Sequence, residues 1–148
     1  MESLTYAIRP YQENDRDGLL FLWTEVFPLG SPHNDPETSL EMKLRIDPDL
    51  LLVSVMDDNI VGSVMGGYDG HRCWVYSVAV AASLRRRGIA SALLREIEAK
   101  LRERGCMKVN LQIVNSNAEV VALYKSLGFR VEERISMGKK LYEIQQSP

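Results

Sequence analysis

One stretch decides the fold: Ser77-Val-Ala-Val-Ala-Ala-Ser-Leu-Arg85-Arg-Arg-Gly88-Ile-Ala90. Most residues from Trp74 to Val80 are β-branched or aromatic, which predicts a buried strand. Beyond the loop, apolar side chains recur every four residues, at Ile89, Leu93, Ile97 and Leu101. That spacing forms one apolar stripe on a helix, and Gly105, after a basic last turn, is expected to end it. The stretch therefore predicts a strand, a tight turn and a helix.

The loop between this strand and this helix combines the features of an anion site. The first amides of a helix have no carbonyl partner, and they lie at the positive end of the helix dipole. Gly88 lets the backbone approach a ligand closely, and the small Ala90 keeps that approach open. Three arginines add positive charge, so the loop suits a phosphate or pyrophosphate. A plainer interpretation stays open, in which the arginines form a solvated basic patch and Gly88 only makes a turn.

The other strands are predicted from apolar or alternating runs. They lie at Thr5–Arg9, Leu50–Met56, Ile60–Tyr68, Lys108–Ile113, Phe129–Glu133 and Met137–Ile144. Short turns join most of the first four strands, so we expect these to be antiparallel. A helix joins the fourth strand to the fifth, so this pair is expected to be parallel. The order of elements predicts a mixed α/β sheet with helices on both faces.

Capping residues mark the starts of three further helices. Asn14 or Asp15 precedes one whose apolar residues have helical spacing: Leu19, Leu20, Trp23 and Val26. Pro36 suits the first turn of a second helix. Asn117 is expected to cap a last helix, which ends at Gly128.

Composition favours one globular domain over the 148 residues. Hydrophobic residues make up 45% and charged residues 26%, as is usual for globular proteins. The net charge of −2 argues against a general attraction to nucleic acid or to an anionic membrane. No apolar run approaches the ~18 residues of a membrane span, and the first residues lack the pattern of a signal peptide.

Cysteine and histidine usage predicts neither a disulfide nor a metal site. Cys73 and Cys106 are the two cysteines, and they form no CxxC pair, so we expect no disulfide framework, and a reducing cytoplasm fits this usage. His71 and Cys73 are two possible metal ligands without a second pair nearby.

Two separate motifs resemble those of one enzyme family. The spacing Arg-x-x-Gly-x-Ala between a strand and a long helix resembles motif A of the GNAT superfamily of N-acetyltransferases, at Arg85, Gly88 and Ala90. The helix that follows the fifth strand resembles motif B of the same family, at Asn117, Leu123-Tyr124 and Gly128-Phe129. Ala82 and Arg86 depart from residues common in motif A, but neither departure removes a backbone donor.

Three further stretches resemble the narrower group of YpeA-type bacterial acetyltransferases: Asn34-Asp35-Pro36, Met65–Arg72 and Met137–Leu141. The resemblance to the GNAT family runs from Thr5 to Tyr142 and implies its fold. This is a mostly antiparallel sheet of about six to seven strands, with a central parallel pair formed by the fourth and fifth strands.

The resemblance implies acetyl-CoA as cosubstrate and no metal. In the family, the motif A amides hold the pyrophosphate, and a bulge in the fourth strand frees amides for the pantetheine and the thioester carbonyl. The sequence alone shows no such bulge. The cofactor contacts implied for this chain are Val78, Ala79, Val80, Arg85, Arg86, Arg87, Gly88, Ile89, Ala90, Asn117 and Tyr124.

The resemblance also implies Tyr124 as the general acid, because a tyrosine hydroxyl is protonated at neutral pH and can reprotonate the CoA thiolate. Alternatively Tyr124 is only a core residue, since it shares an apolar stripe of its helix. A base is expected to accept the proton of the amine, either through a water chain or at one of four residues: Glu25, Asp35, Asp69 or His71. The acceptor loops are expected at Pro28–Pro36, Gly66–Arg72 and Arg130–Gly138, and acidic and aromatic residues in the first two suit a cationic amine.

The function implied is that of an acyltransferase that moves the acetyl group of acetyl-CoA to a primary amine of a small molecule, peptide or protein. The alternative is a catalytically silent sensor that binds acyl-CoA. Nucleic acid and membrane partners are not expected, and a homodimer is possible. The net charge disfavours binding of nucleic acid through the three arginines. Such binding would show an affinity that depends strongly on salt.

Overall fold

The computed structural model describes residues 4–28, 30–113 and 118–143. These contain the following elements: β1 (Ala7–Pro10), α1 (Arg16–Val26), α2 (Pro36–Arg45), β2 (Leu51–Met56), β3 (Asn59–Tyr68), β4 (Cys73–Val80), α3 (Ile89–Glu103), β5 (Val109–Asn110) and α4 (Ala118–Ser126). The chain divides into two compact units, Met1–Gln112 and Ile113–Pro148. The first unit holds the sheet and three helices, and the second holds α4. One domain over the whole chain stays a prediction.

The sheet has the order β1-β2-β3-β4-β5. The first three neighbouring pairs are antiparallel, while β4 and β5 are parallel. This confirms the predicted mixed sheet and its connections. Each of the first four strands lies within one or two residues of its predicted bounds at either end. A turn at Asp57-Asp58 joins β2 to β3, and both of its residues have positive φ.

Helices cover both faces of the sheet. Consecutive residues of a strand point to opposite sides, and two neighbours in β3 lie against different helices. A Cβ at Gly62 would lie 3.1 Å from Leu93 of α3, whereas the neighbouring Ser63 contacts Trp23 of α1. The α3 stripe is buried as the periodicity predicts. At Gly66 a Cβ would lie 2.8 Å from Ile97, so glycine at this position lets α3 pack closely against β3.

The predicted closing pair of strands is wrong for residues 129–143, which contain no strand. Among the described residues the sheet has five strands rather than six or seven, and β5 spans two residues rather than Lys108–Ile113. An alternating pattern forms a strand where a neighbour pairs with it and one face is buried. Here the apolar members of the pattern are highly exposed: Val131, Ile135, Met137 and Leu141.

Cysteine usage gave no expectation of a disulfide, but Cys73 and Cys106 form one, with a Cα–Cα distance of 6.2 Å. The parallel register explains the pairing. Cys73 at the start of β4 lies opposite Val109, three residues beyond Cys106. A separation of 33 residues hides this proximity in the sequence. Cysteine usage therefore no longer supports a reducing compartment, and the cytoplasmic location stays a prediction.

We expect the disulfide to contribute about 2–4 kcal/mol to the free energy of unfolding, because it closes a long loop in the unfolded chain. Urea denaturation of the double variant Cys73→Ser/Cys106→Ser should show a loss of this size. The wild-type protein in reductant should match the variant, and the variant itself should not respond to reductant. A wild-type transition that reductant leaves unchanged would contradict the pairing.

None of the helices in the described ranges has the length and the apolar content that crossing a membrane requires.

Candidate active site

A bulge interrupts β4 at its centre. Ser63 of β3 pairs with Ala79 and Met65 pairs with Tyr76, so the single residue Val64 faces both Ser77 and Val78. Ser77 adopts a left-handed backbone conformation with φ 52°. An extra residue of this kind leaves the hydrogen-bond ladder and bends its strand. The bulge lies directly before Ala79 and Val80, and it includes Val78, the first residue of the segment Val78–Val80 for which the family resemblance implies one.

The side of β4 that faces β5 is paired only at its beginning. β5 pairs with Cys73 and Trp74, and β4 then continues for six residues to Val80. Within the described ranges, no strand covers that edge beyond Trp74. Unpaired strand edges present their amides and carbonyls, so this side of the bulged part of β4 is a candidate surface for ligand contacts.

The predicted anion loop follows β4 and leads into α3. Gly88 is the N-cap residue of α3 and has φ 85°, which confirms the predicted tight turn and the need for glycine. No side chain caps this end, and the first turn carries no acidic residue. The first helical hydrogen bond runs from Ala92 N to Gly88 O, at 3.0 Å, so the amides before Ala92 precede the helical ladder.

The environment of the loop suits an anion. Arg85, Arg86, Arg87 and Gly88 are exposed. In contrast, the Ile89 side chain is buried and anchors the first turn of α3 in the core. Arg85 Nε lies 3.5 Å from the carbonyl oxygen of Val80 and so spans the loop back to the end of β4. The bulge and the anion loop are thus parts of one continuous segment, residues 77–90.

Tyr124 lies in α4, in the second compact unit, and its side chain is buried. Its ring packs edge-on against Phe129, with 5.5 Å between the ring centroids. Gly128 has φ 95°, and the Phe129 amide donates to the Tyr124 carbonyl at 3.0 Å, which caps the helix. Burial raises the pKa of Tyr124 above its ordinary value, so the hydroxyl keeps its proton at neutral pH. Asn117 lies outside the described residues.

The candidate bases are not gathered at the bulge. Asp69 and His71 lie in the turn before β4, and the five strand residues Cys73–Ser77 separate that turn from Val78 by about 16 Å. The Asp69 carboxylate accepts hydrogen bonds from the backbone of Arg72 and His71, at 2.7 and 2.8 Å. These bonds lower the pKa of Asp69 and make it a weaker base.

The two other candidate bases lie near the predicted first acceptor loop. Glu25 is exposed in the last turn of α1. Asp35 caps α2, because its carboxylate accepts from the backbone and the hydroxyl of Thr38, both at 3.0 Å. A cleft of about 370 Å³ lies at this place and is lined by residues that include Thr24, Phe27, Asn34 and Asp35. The structure thus provides a concave surface at the predicted acceptor loop.

Sequence reasoning missed a hydrogen-bonded group beneath the bulge. Trp23 Nε1 of α1 donates to Ser63 Oγ at 2.8 Å, and Ser63 Oγ lies 3.3 Å from the carbonyl oxygen of Ser77. In the sequence, Trp23 belongs to an apolar helix stripe and Ser63 to a predicted strand, and neither pattern indicates a polar contact. The available signal was chemical, because a buried indole N–H requires an acceptor and a buried hydroxyl requires a partner.

An aromatic pair beside the bulge was also missed. Trp74 and Tyr76 stack with 6.4 Å between their ring centroids, and Tyr76 is 47% exposed although its strand was predicted to be buried. Burial of part of its surface, and then the charge of Asp69, raise the pKa of Tyr76. Alternation along the strand could have indicated this exposed aromatic face.

The family of the chain follows from a comparison with protein-family models. The model of the acetyltransferase (GNAT) family matches residues 16–129. The chain belongs to the GNAT acetyltransferase family. Curated relatives agree, among them an acetyltransferase from Pectobacterium atrosepticum that is 44% identical over 92% of this chain and 96% of its own length. An acetyltransferase from Yersinia pestis is 42% identical over 94% of this chain and 98% of its own length.

Solved structures show the same GNAT fold at lower sequence identity. The aminoglycoside N-acetyltransferase AAC(6')-Iy, in complex with CoA, has a TM-score of 0.77 and 19% identity, covering 95% of this chain and 98% of that one. The ribosomal-protein-S18-alanine N-acetyltransferase from Escherichia coli has a TM-score of 0.72 and 19% identity, covering 85% of this chain and 78% of that one. The predicted fold class is therefore confirmed.

Within this GNAT chain, the described ranges contain no group of three or more His, Cys, Asp or Glu side chains that could hold a metal ion.

The loop before α3 fits the phosphates of a CoA ester, because exposed arginines surround a helix start that is free of side-chain caps. A Cβ at Gly88 would meet no atom within 4 Å, so the space in front of that helix start is open.

Proposed function

We propose that this chain transfers the acetyl group of acetyl-CoA to a primary amine of a small molecule, a peptide or a protein. The observation that carries the proposal is the segment 77–90, in which a strand bulge is followed, after the end of β4 and a short loop, by an uncapped helix start. The family supports acetyl transfer, and one aminoglycoside acetyltransferase of similar fold, AAC(6')-Iy, was solved both with CoA and with a bisubstrate analogue. The amine acceptor is proposed here only as a class.

Each part of the segment has a distinct task in this proposal. The amides of Gly88, Ile89 and Ala90 bind the pyrophosphate, and the three arginines of the loop neutralise its charge. The backbone of Val78, Ala79 and Val80 aligns the pantetheine and donates to the thioester oxygen, where negative charge develops during attack. Acetyl-CoA supplies a thioester carbon that is open to a neutral amine. Since the amides are fixed by the fold, they need no rearrangement when the charge appears.

Tyr124 is proposed as the general acid. As the new carbon–nitrogen bond forms and the carbon–sulfur bond breaks, the sulfur leaves as a thiolate and takes the proton of the Tyr124 hydroxyl. The Tyr124 hydroxyl holds its proton at neutral pH, as a general acid must, while burial raises its pKa and makes it a weaker donor than an exposed tyrosine. Asn117 remains a proposed cofactor contact.

The general base is proposed to be one of three side chains or a water chain, and the oligomeric state a homodimer. Glu25, Asp69 and His71 remain candidate bases, with Asp69 the weakest because backbone hydrogen bonds lower its pKa. A water chain that leads the proton of the amine to solvent is an alternative. A homodimer and a cytoplasmic location are retained as predictions.

Calorimetric titration with acetyl-CoA tests the proposal, followed by release of free CoA thiol in the presence of a panel of amines. The panel contains an aminoglycoside, a polyamine and a peptide with a free N-terminus. We expect saturable binding of acetyl-CoA and thiol release that depends on one class of amine. Binding without thiol release for any amine favours the acyl-CoA sensor, and absence of binding contradicts both functions.

A further inference from the structure

We propose that Trp23 and Ser63 are positioning residues, which hold the β4 bulge in the conformation that receives the acetyl thioester. They form a chain of two hydrogen bonds from α1 through β3 to the Ser77 carbonyl, named here the Trp23–Ser63 relay. This inference rests on the proposed function, because it assigns a task to the bulge. All three residues belong to the unit Met1–Gln112.

Hydrogen-bond chemistry fixes the direction of the relay. An indole N–H can only donate, so Trp23 Nε1 uses the Ser63 hydroxyl oxygen as its acceptor. A carbonyl can only accept, so the single hydroxyl proton of Ser63 points to Ser77 O. Ser63 Oγ therefore accepts from Trp23 and donates to Ser77 O, and these two bonds specify one orientation of the bulge carbonyl.

Loss of either hydrogen bond of the relay would be destabilising, because its donor groups are buried. The side chains of Trp23 and Ser63 are 2% and 0% exposed, so water does not replace either bond. A buried polar group without a partner destabilises the state that contains it. Any rearrangement that turned the Ser77 carbonyl away would leave the buried Ser63 hydroxyl without an acceptor. The relay therefore opposes a return of Ser77 to the regular hydrogen-bond ladder between β3 and β4.

Ser77 needs such a restraint. It is not glycine, yet it has φ 52°, a conformation in which its Cβ is crowded by the backbone. Strained residues persist where surrounding contacts fix them, and they are common at functional sites. The relay supplies a fixing contact from a different secondary-structure element, the core helix α1.

A matched control lies one strand away. Ser54 of β2 is also fully buried, but its hydroxyl has no hydrogen-bond partner among the described residues. Ser54→Ala and Ser63→Ala therefore remove the same atom from the same sheet, and only the second breaks the relay.

The experiment titrates each variant with acetyl-CoA and with adenosine 3′,5′-bisphosphate, the nucleotide part of CoA without its phosphopantetheine arm. We expect Ser63→Ala to weaken acetyl-CoA binding about tenfold, equivalent to about 1.4 kcal/mol, and to leave binding of the bisphosphate unchanged. Ser63→Thr keeps the hydroxyl and should recover most of the loss. Trp23→Phe should weaken acetyl-CoA binding by a smaller factor, and Ser54→Ala should bind both ligands as the wild type does.

Other outcomes overturn the inference. An equal loss for both ligands in Ser63→Ala means a general loss of structure, and no loss for either means that the bulge holds itself. An effect of Ser54→Ala as large as that of Ser63→Ala would likewise remove the assignment. A wild-type protein that binds neither ligand refutes the proposed function, and the inference with it. A wild type that binds both, with an unaffected Ser63→Ala variant, refutes the inference alone.

Discussion

Gly88→Glu is expected to abolish acetyl-CoA binding, with a loss of at least about a thousandfold in affinity. Gly88 is the N-cap of α3, and a Cβ there points into open space, so a glutamate side chain can extend in front of the helix start. Its carboxylate would occupy the space proposed for the pyrophosphate and would interact favourably with the same amides and dipole. Titration calorimetry of the variant with acetyl-CoA should therefore detect no binding heat.

A control at the other end of the same helix separates this effect from backbone strain. Gly105 follows α3 and matches Gly88 in two respects. Their φ angles are 95° and 85°, and a Cβ built at either residue lies in open space. Placing an L-residue in this conformation costs about 1–2 kcal/mol at either site. Gly105→Glu should thus lose a similar amount of stability and still bind acetyl-CoA. Equal affinity of the Gly88→Glu variant and the wild type would contradict the assigned cofactor site.

The part of the fold that local chemistry determines could be predicted from the sequence. The four-residue spacing of Ile89, Leu93, Ile97 and Leu101 predicts α3 because a helix stripe depends on neighbouring residues alone. The glycine in the anion loop is likewise predictable, since a tight turn before a helix requires a positive φ. Both features are local, and the structure has both.

Features that depend on strand register could not be predicted in the same way. Ser77 and Val78 read as ordinary strand residues, and the bulge exists only because two residues of β4 face one residue of β3. The disulfide depends on the parallel register of β4 and β5, which places Cys73 opposite Val109. Periodicity along one segment contains no information on its partner's alignment, so only the family resemblance pointed to the bulge.

The alternating pattern near the C-terminus illustrates the opposite error. Residues 129–143 alternate as a strand does, but alternation reports an amphipathic tendency and not the presence of a neighbour. The candidate bases have a similar origin, because titratable residues were selected by type. The structure then assigns the Asp69 and Asp35 carboxylates to a turn and to a helix cap.

Tyr124→Phe is expected to lower kcat by at least about a hundredfold, which is the scale of a lost general acid, and to leave acetyl-CoA binding intact. The substitution removes only the hydroxyl, and the edge-on packing of the ring against Phe129 can persist. Steady-state release of CoA thiol and calorimetry on the same preparation measure the two properties separately. Tyr6→Phe removes a tyrosine hydroxyl ahead of β1, away from the proposed machinery, and should leave kcat unchanged.

The pH profile distinguishes an acid from a packing residue. Burial disfavours the phenolate, so the pKa of Tyr124 lies above its ordinary value of 10.0 and the hydroxyl stays protonated through the neutral range. Ionisation of this group should therefore reduce the kcat of the wild type only at a pH above about 10. The Phe variant should lack that alkaline decrease. If the variant is slow but keeps the same decrease, Tyr124 supports the site by packing and another group supplies the proton; if the variant is as fast as the wild type, Tyr124 is not the acid.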